Sequence, residues 1–344
     1  ILPPMHTRLL TLLLCSSCSL MVNDPPELKS ATPVADAGAV STGTDAGQAN
    51  PCASDQRFDE LGGRCVPLQG ASGICHGVGE IATNHSWAVA ANNLVYAGPG
   101  ATGAGNSIDN PGSLAALVAA ATQELVVVLL PGNYELGETL DLSNSSSISL
   151  IGNGSCAAGG NELGGSFLVN SGSTVLSATQ GKVQIYGIGV RGPLSDDSGV
   201  KRDAMAFDGV GTLRIAQTVI SAPGGHGIGL NGVGGGEGLL LQGLTFNDVG
   251  GSAIASQDAL GSWTIDCNLF HGPIADHGFL NIGGESTLNL SNNIFSTIMK
   301  NAVDATDPLG SWTVDCNLFS GPISGDGINI AGGHSDSSMN LGQD

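Results

Sequence analysis

The sequence predicts an all-β protein built as a parallel β-solenoid, and the main observation is an internal repeat. The segment 260–274, LGSWTIDCNLFHGPI, recurs as LGSWTVDCNLFSGPI at 309–323, which begins 49 residues later (260 to 309). A weaker copy at 287–295 lies between them, so the true period is about 24–25 residues. Short repeats of this kind stack on one another and bury a shared core.

Apolar residues recur at this period in three columns, so each coil of roughly 24–30 residues is expected to hold three short strands. Gly, Asn, Asp and Pro separate the strands, and no 3.6-residue periodicity supports a helical repeat. Stacked coils place like side chains about 4.8 Å apart. The first column is Ile185, Ile215, Leu241, Ile265, Leu290 and Val314; the second is Val190, Ile220, Phe246, Phe270, Phe295 and Phe319; the third is Ile228, Ile254, Phe279, Val303 and Ile328.

One turn of the repeat carries asparagine. Asn268, Asn293 and Asn317 share a position in successive coils and are predicted to hydrogen-bond to one another along the solenoid axis. Cys267 and Cys316 share the preceding position but are two coils apart. This separation of about 9–10 Å exceeds the roughly 7 Å limit for a disulfide, so both are predicted to be buried small residues.

The first residues have the anatomy of an exported lipoprotein. Arg8 precedes a short apolar run, and Leu14-Cys15-Ser16-Ser17-Cys18 is similar to a bacterial lipobox. Residues 1–18 are therefore predicted to be a signal peptide and Cys18 a lipidation site, with ordinary cleavage as the alternative. Residues 19–50, rich in Pro, Ala, Gly and Asp, are predicted to be a disordered tether.

A small cysteine-containing segment at 51–80 follows the tether. Six of the eight cysteines remain after Cys15 and Cys18, and an exported chain favours disulfides. The expected pairs are Cys52–Cys65 and Cys75–Cys156. A metal site is a weaker alternative, because this region has no C-x₂-C pair with histidine partners.

The start of the repeat region resembles a known family. Residues 94–121 and the segment VVVLLPGNY at 126–134 are similar to the entry of right-handed parallel β-helix proteins of the pectate-lyase-like class. The resemblance implies a right-handed parallel β-helix over 81–344, with a capping helix at about 113–122. It says little about chemistry, because this scaffold carries lyases, hydrolases, epimerases and adhesins.

The charge balance limits the partners. The chain has 30 acidic and 10 basic residues, a formal net charge of −20. Nucleic acid and anionic membrane surfaces are not expected partners, because both need clustered Lys and Arg. A membrane is expected only through the lipid anchor.

Candidate catalytic residues lie two positions before the third column. His226, Ser252, His277, Asn301 and Asp326 occupy this position, and stacking brings them to one face. Together with Asp276 and Lys300, the candidates for acid–base chemistry are His226, His277, Asp276, Lys300 and Asp326. The segment around His226 also resembles the Gly-His-Gly motif of polygalacturonase-like hydrolases, whereas a simple turn histidine is the alternative.

Calcium is a candidate cofactor, although no EF-hand loop occurs. Its candidate ligands are the acidic turn residues Asp196, Asp197, Asp203, Asp208, Asp304 and Asp307.

Two classes of function remain open. The first is a non-catalytic lipoprotein, extracellular or on the outer-membrane surface, that binds a polysaccharide or cell-surface glycan or has a structural role. The alternative is a polysaccharide lyase or glycoside hydrolase that acts on acidic polysaccharide. The sequence stops soon after a new coil opens at 339–341, which suggests a truncated C-terminus.

Overall fold

A computed structural model describes residues 94–152, 165–193, 202–222, 224–307 and 310–332 in full. It also describes the backbone of 56–59, 64–67 and 338–341. The predicted signal peptide, Cys18, the tether at 19–50 and the side chains of Cys52, Cys65, Cys75 and Cys156 lie outside this description.

The described chain is almost entirely β-structure, with one short helix, α1 (Leu114–Ala119). The strands are β1 (Gln56–Asp59), β2 (Arg64–Pro67), β3 (Leu94–Ala97), β4 (Leu125–Leu129), β5 (Gly132–Glu135), β6 (Leu140–Asp141), β7 (Ser147–Ile151), β8 (Ser166–Val169), β9 (Leu176–Ala178), β10 (Lys182–Tyr186), β11 (Gly189–Arg191), β12 (Met205–Asp208), β13 (Thr212–Ala216), β14 (Val219–Ala222), β15 (Ile228–Asn231), β16 (Gly238–Gln242), β17 (Thr245–Val249), β18 (Ile254–Asp266), β19 (Leu269–Phe270), β20 (Phe279–Ser291), β21 (Ile294–Phe295), β22 (Val303–Thr306), β23 (Ser311–Asp315), β24 (Leu318–Phe319), β25 (Ile328–Ala331) and β26 (Ser338–Leu341).

From β3 onward the strands pair in parallel and form three sheets. Sheet 1 contains β3, β4, β7, β10, β13, β16, the second halves of β18 and β20, β23 and β26. Sheet 2 contains β5, β8, β11, β14, β17, β19, β21 and β24. Sheet 3 contains β6, β9, β12, β15, the first halves of β18 and β20, β22 and β25. Each coil therefore supplies one strand to each sheet, and the predicted parallel β-solenoid is confirmed.

The three predicted apolar columns are also confirmed. The strand register aligns the first column in sheet 1, the second in sheet 2 and the third in sheet 3. All three columns point into the solenoid, where most of their members are fully buried. In sheet 2 the rings of Phe246, Phe270, Phe295 and Phe319 stack in sequence, with centroids 5.0, 4.3 and 5.3 Å apart.

The predicted asparagine ladder is formed between sheets 1 and 2. Asn268 Nδ2 donates to Asn293 Oδ1 at 2.9 Å, and Asn293 Nδ2 donates to Asn317 Oδ1 at 2.9 Å. The main-chain N–H groups of Asn268 and Asn293 donate to the same carbonyl oxygens. The ladder gives these buried polar groups hydrogen-bond partners. Without partners, each group would lower the stability of the fold through its desolvation penalty.

The two cysteines beside this ladder are not as predicted. Cys267 and Cys316 have φ values of 56° and 53°, in the left-handed region that the turn requires. Both are half-buried, and neither is a free thiol. The prediction of buried, unpaired small residues is therefore wrong: the left-handed turn directs these side chains away from the interior columns.

The entry segment has the predicted order of strand, helix and strand. The helix expected at about 113–122 is confirmed over Leu114–Ala119, where Leu114 and Val118 join the core. It lies against β3, β4 and β6. Tyr134, from the segment VVVLLPGNY, is buried, and its hydroxyl lies 2.7 Å from the Ala97 carbonyl oxygen, to which it donates. Burial raises the pKa of Tyr134 well above its usual range.

The last predicted strand is confirmed as β26, which pairs with β23. In the part of the chain that the structure describes, no helix is long and apolar enough to cross a membrane.

Candidate functional site

The predicted column of polar residues exists and forms a hydrogen-bonded ladder, here called the edge column. Strand register adds one member that the sequence reasoning did not place there: Asp203, because Met205 pairs with Ile228. Each rung joins a main-chain N–H to the side chain of the preceding coil. The edge column is Asp203, His226, Ser252, His277, Asn301 and Asp326.

Four rungs of the edge column are formed. His226 N donates to Asp203 Oδ1 at 3.0 Å, and Ser252 N donates to His226 Nδ1 at 2.8 Å. His277 N donates to Ser252 Oγ at 3.4 Å, and Asp326 N donates to Asn301 Oδ1 at 2.8 Å. Since Nδ1 of His226 accepts a hydrogen bond, its neutral imidazole carries the proton on Nε2.

A groove runs beside the edge column on the outer face of sheet 3 and encloses about 450 Å³. Its floor is a row of small side chains that strand pairing places side by side: Ser177, Ala206, Gly229 and Ala255. A second, parallel row supplies Asp208, Asn231, Gln257 and Ile282. Four coil steps separate Ser177 from Leu280 at the end of the floor row, a length of about 19 Å.

Asp203 and His226 form the opposite edge of the groove. The Asp203 carboxyl lies over the main chain of Gly229, where a Cβ would collide with its Oδ2. Burial raises the pKa of Asp203, whereas the charge of His226 and the hydrogen bond from the His226 N–H act in the opposite direction. A carboxyl in such a site holds its proton to a higher pH than an exposed aspartate does.

Two coils beyond His226, the predicted catalytic residues Asp276, His277 and Lys300 lie together. With Asp304 they form a cluster. His277 is buried, with Nε2 3.2 Å from Asp276 Oδ1 and 3.6 Å from Asp304 Oδ2. Lys300 Nζ forms an ion pair with Asp276 Oδ1. Asp304 also accepts hydrogen bonds from the side chains of Asn301 and Asn329, at 3.0 and 2.6 Å.

This cluster is a closed network rather than an open reaction site. Its ion pairs and hydrogen bonds are mutual, and Nδ1 of His277 is buried without a hydrogen-bond partner among the described residues. A general base must reach the substrate proton directly or through one water. The carboxylates of Asp276 and Asp304 are mostly covered, so the groove offers the better access to a ligand.

The five predicted catalytic residues therefore do not form one centre. His226 lines the groove, Asp276, His277 and Lys300 lie in the cluster, and Asp326 is exposed at the far end of the edge column. The sequence reasoning missed the placement of Asp203 and Asp208 on the groove. Alignment of Met205 with Ile228 would have revealed it, but the long segment before Asp203 interrupts the regular spacing.

The candidate calcium ligands Asp203, Asp208, Asp304 and Asp307 are not gathered at one point. Within the described ranges, no group of three or more His, Cys, Asp or Glu side chains is arranged to hold a metal ion. Asp196 and Asp197 lie outside those ranges.

Comparisons with known proteins return one distant structural likeness. No family model matches the chain, and no curated protein is similar to it. A solved structure, the crystal structure of pectate lyase Pel9A, superposes on 73% of this chain and 80% of its own, with a TM-score of 0.38 and 13% sequence identity. By its own strand pairing, the chain belongs to the class of parallel β-solenoids.

Proposed function

We propose that this β-solenoid binds a neutral polysaccharide in the groove on the outer face of sheet 3. One observation carries the proposal: an open groove has a floor row of small side chains about 19 Å long between two rows of polar side chains, with the Asp203 carboxyl standing over the floor at Gly229. Ligand sites are concave and have a few polar groups that fix orientation. An extended chain of sugars has the length and the shape to lie along such a floor.

The groups that face the groove suit hydroxyl ligands. Asp208, Asn231 and Gln257 are exposed. The Asp208 carboxylate accepts hydrogen bonds, and the two amide groups both accept and donate them. At one end, Leu280 and Ile282 offer an apolar surface, and Ile282 is 49% exposed. Apolar contact with the faces of sugar rings and hydrogen bonds to their edges would act together there.

Charge favours a neutral ligand over an acidic one. The chain carries a formal net charge of −20, and Asp203 and Asp208 stand on the groove itself. A polyuronate would be repelled at low ionic strength. The alternative of an enzyme for acidic polysaccharides is therefore less favoured than binding of uncharged glycans.

Binding to a panel of soluble neutral polysaccharides (glucan, xylan, mannan and galactan), measured by affinity electrophoresis, tests the proposal. We expect retention by at least one polymer, and about fivefold weaker retention for Gln257→Ala, because loss of one hydrogen bond costs about 1 kcal/mol. Gln180→Ala is the matched control, since Gln180 is also exposed but lies outside the groove. Equal effects of the two variants, or no retention on any polymer, would refute the proposal.

We also propose that the chain is displayed on the bacterial surface through a lipid on Cys18, with residues 19–50 as a spacer. The lipobox-like segment 14–18 supports this proposal. Mass spectrometry of the protein purified from membranes should find Cys18 acylated, and Cys18→Ser should release the protein from the membrane fraction. An unmodified, freely secreted wild-type protein would contradict it.

A further inference from the structure

The groove changes character at one end, where its floor rises and becomes apolar. Along the floor row, Gly229 has no side chain, Ala255 has a single methyl group, and Leu280 follows in the next coil. In the second row, Ile282 comes after Gln257 and is 49% exposed. Leu280 and Ile282 are two residues apart on the outer face of β20, about 7 Å along the strand. They therefore form an apolar end wall beside the low floor at Ala255.

The apolar end wall is one coil wide. In the next coil, Leu280 pairs with Asp304 and Ile282 pairs with Thr306, so polar residues follow directly. The Asp304 carboxylate belongs to the closed cluster with His277 and is mostly covered. One coil corresponds to about 5 Å along the solenoid axis. An apolar surface of this width suits a small alkyl substituent on a sugar.

Gln257 places a hydrogen-bond donor beside the apolar end wall. Its main chain pairs with that of Ile282 in the adjacent strand, and its side chain is exposed on the groove. The Gln257 amide can donate a hydrogen bond, whereas an ionised carboxylate such as Asp208 can only accept one. A ligand group that combines a methyl group with an oxygen that only accepts hydrogen bonds would match this pair of features. The acetyl ester of a sugar hydroxyl is such a group.

Charge selects against other common substituents of polysaccharides. Asp203 and Asp208 stand on the groove, Asp304 lies beyond its apolar end, and the chain has a formal net charge of −20. Carboxylate, sulfate and phosphate substituents would all be repelled by this acidic surface. An acetyl ester carries no charge and therefore meets no such repulsion.

We propose that the apolar end wall of the groove, with Gln257 beside it, binds an O-acetyl group, so that the protein prefers acetylated neutral polysaccharides. The inference rests on the proposed binding function and narrows its ligand. The acetyl methyl group packs against Leu280 and Ile282, and the ester carbonyl oxygen accepts a hydrogen bond from the Gln257 amide. Leu280 and Ile282 are thus specificity-determining residues, whereas the polar rows bind the hydroxyl groups of the sugar chain.

The test compares two forms of the same polymer. Each polysaccharide of the panel is partially acetylated, and half of the sample is then deacetylated with mild alkali. Affinity electrophoresis of the full-length protein measures retention by both forms. We expect the acetylated form to be bound at least about fourfold more tightly, which is the value for burial of one methyl group.

Two variants locate the preference. Ile282→Asn should reduce it to less than about twofold, because the methyl group then meets a polar side chain. Ile294→Asn is the matched control, since Ile294 is 39% exposed but lies on the outer face of sheet 2, outside the groove. This control should keep the wild-type preference. Because both positions are exposed, neither change removes a core contact.

The outcomes separate the two proposals. Equal retention of wild type by the acetylated and deacetylated forms overturns the acetyl preference and leaves the binding function intact. A preference that persists in Ile282→Asn, or that Ile294→Asn loses equally, overturns the assignment of the apolar end wall. The absence of retention by either form of every polymer removes the binding function and the inference together.

Discussion

At the scale of single residues, the side chain of Asn293 makes four hydrogen bonds in the turn between sheets 1 and 2. The side-chain Oδ1 of Asn293 accepts hydrogen bonds from the main chain and the side chain of Asn268. Its Nδ2 donates to the Ile265 carbonyl oxygen and to Asn317 Oδ1. The side chain is fully buried. Its removal would leave several buried polar groups without a partner, and each of these carries a desolvation cost.

Asn293→Ala should therefore lower the free energy of unfolding by about 2–4 kcal/mol. Urea denaturation followed by circular dichroism measures the change. Asn289→Ala, at an exposed position four residues earlier, should change it by less than about 0.5 kcal/mol. Similar losses in the two variants would show that the ladder does not stabilise the solenoid.

The raised pKa of Asp203 predicts that the stability of the folded protein depends on pH. Because the pKa of Asp203 is raised above 3.8 in the folded protein, the folded state binds the proton more tightly than the unfolded state does. The contribution of Asp203 is therefore most favourable below pH 3.8 and is lost as the pH rises through the folded pKa. The charge of His226 acts on the same carboxyl and lowers its pKa, but the effect of burial is larger.

Asp203→Asn keeps the acceptor for the His226 N–H but cannot ionise. The variant should melt at a higher temperature than wild type at pH 7, and the difference should shrink as the pH falls toward 4. Differential scanning calorimetry at several pH values measures this trend, with Asp141→Asn as the control. A difference that stays constant with pH would contradict a raised pKa.

At the scale of elements, the aromatic stack of sheet 2 joins four successive coils by three stacked pairs of rings. Phe270 is fully buried and has a stacked ring on each side, whereas Phe319 is half-buried and has one. Each stacked pair adds about 0.5–1.5 kcal/mol beyond the area that it buries.

Phe270→Ala should lower the free energy of unfolding by about 3–5 kcal/mol. Phe319→Ala should lower it clearly less, because that end of the stack is already open to solvent. Chemical denaturation of both variants measures the difference. Equal costs would mean that stacking within the column contributes little.

Most of the strands and their register can be predicted from the sequence. The repeat and the three apolar columns predict them, because a side chain that points inward must match those above and below it. The sequence did not reveal that β18 and β20 each run for 13 residues through two sheets. The residues between their halves include Asp258, Gly283 and Gly284 in left-handed conformations, which look like turn residues in a sequence.

The site was less predictable than the fold, for a related reason. His226 and His277 were found because regular spacing places them in the edge column. The long segment before Asp203 breaks that spacing, so only strand pairing between β12 and β15 shows that Asp203 stands beside His226. The closed contacts of Asp276, His277 and Lys300 depend on side-chain directions that spacing alone does not specify.

At the scale of the whole molecule, sheet 3 is the face that combines a groove with acidic, amide and imidazole side chains. The solenoid makes this possible because each coil adds one residue to each row, so a ligand with repeated units meets a repeated surface. The central claim is that this groove is where a neutral polysaccharide binds.

Isothermal titration calorimetry with Ala255→Trp tests this claim most directly. Ala255 lies on the floor between Gly229 and Leu280, and an indole there would fill the groove without disturbing the core. Asn289→Trp, on the exposed outer face of sheet 1, carries the same side chain outside the groove. For a polysaccharide that wild type binds, we predict that Ala255→Trp weakens binding at least about 100-fold, or about 2.7 kcal/mol, while Asn289→Trp binds like wild type. Unchanged affinity in Ala255→Trp would contradict the claim that the groove is the binding site.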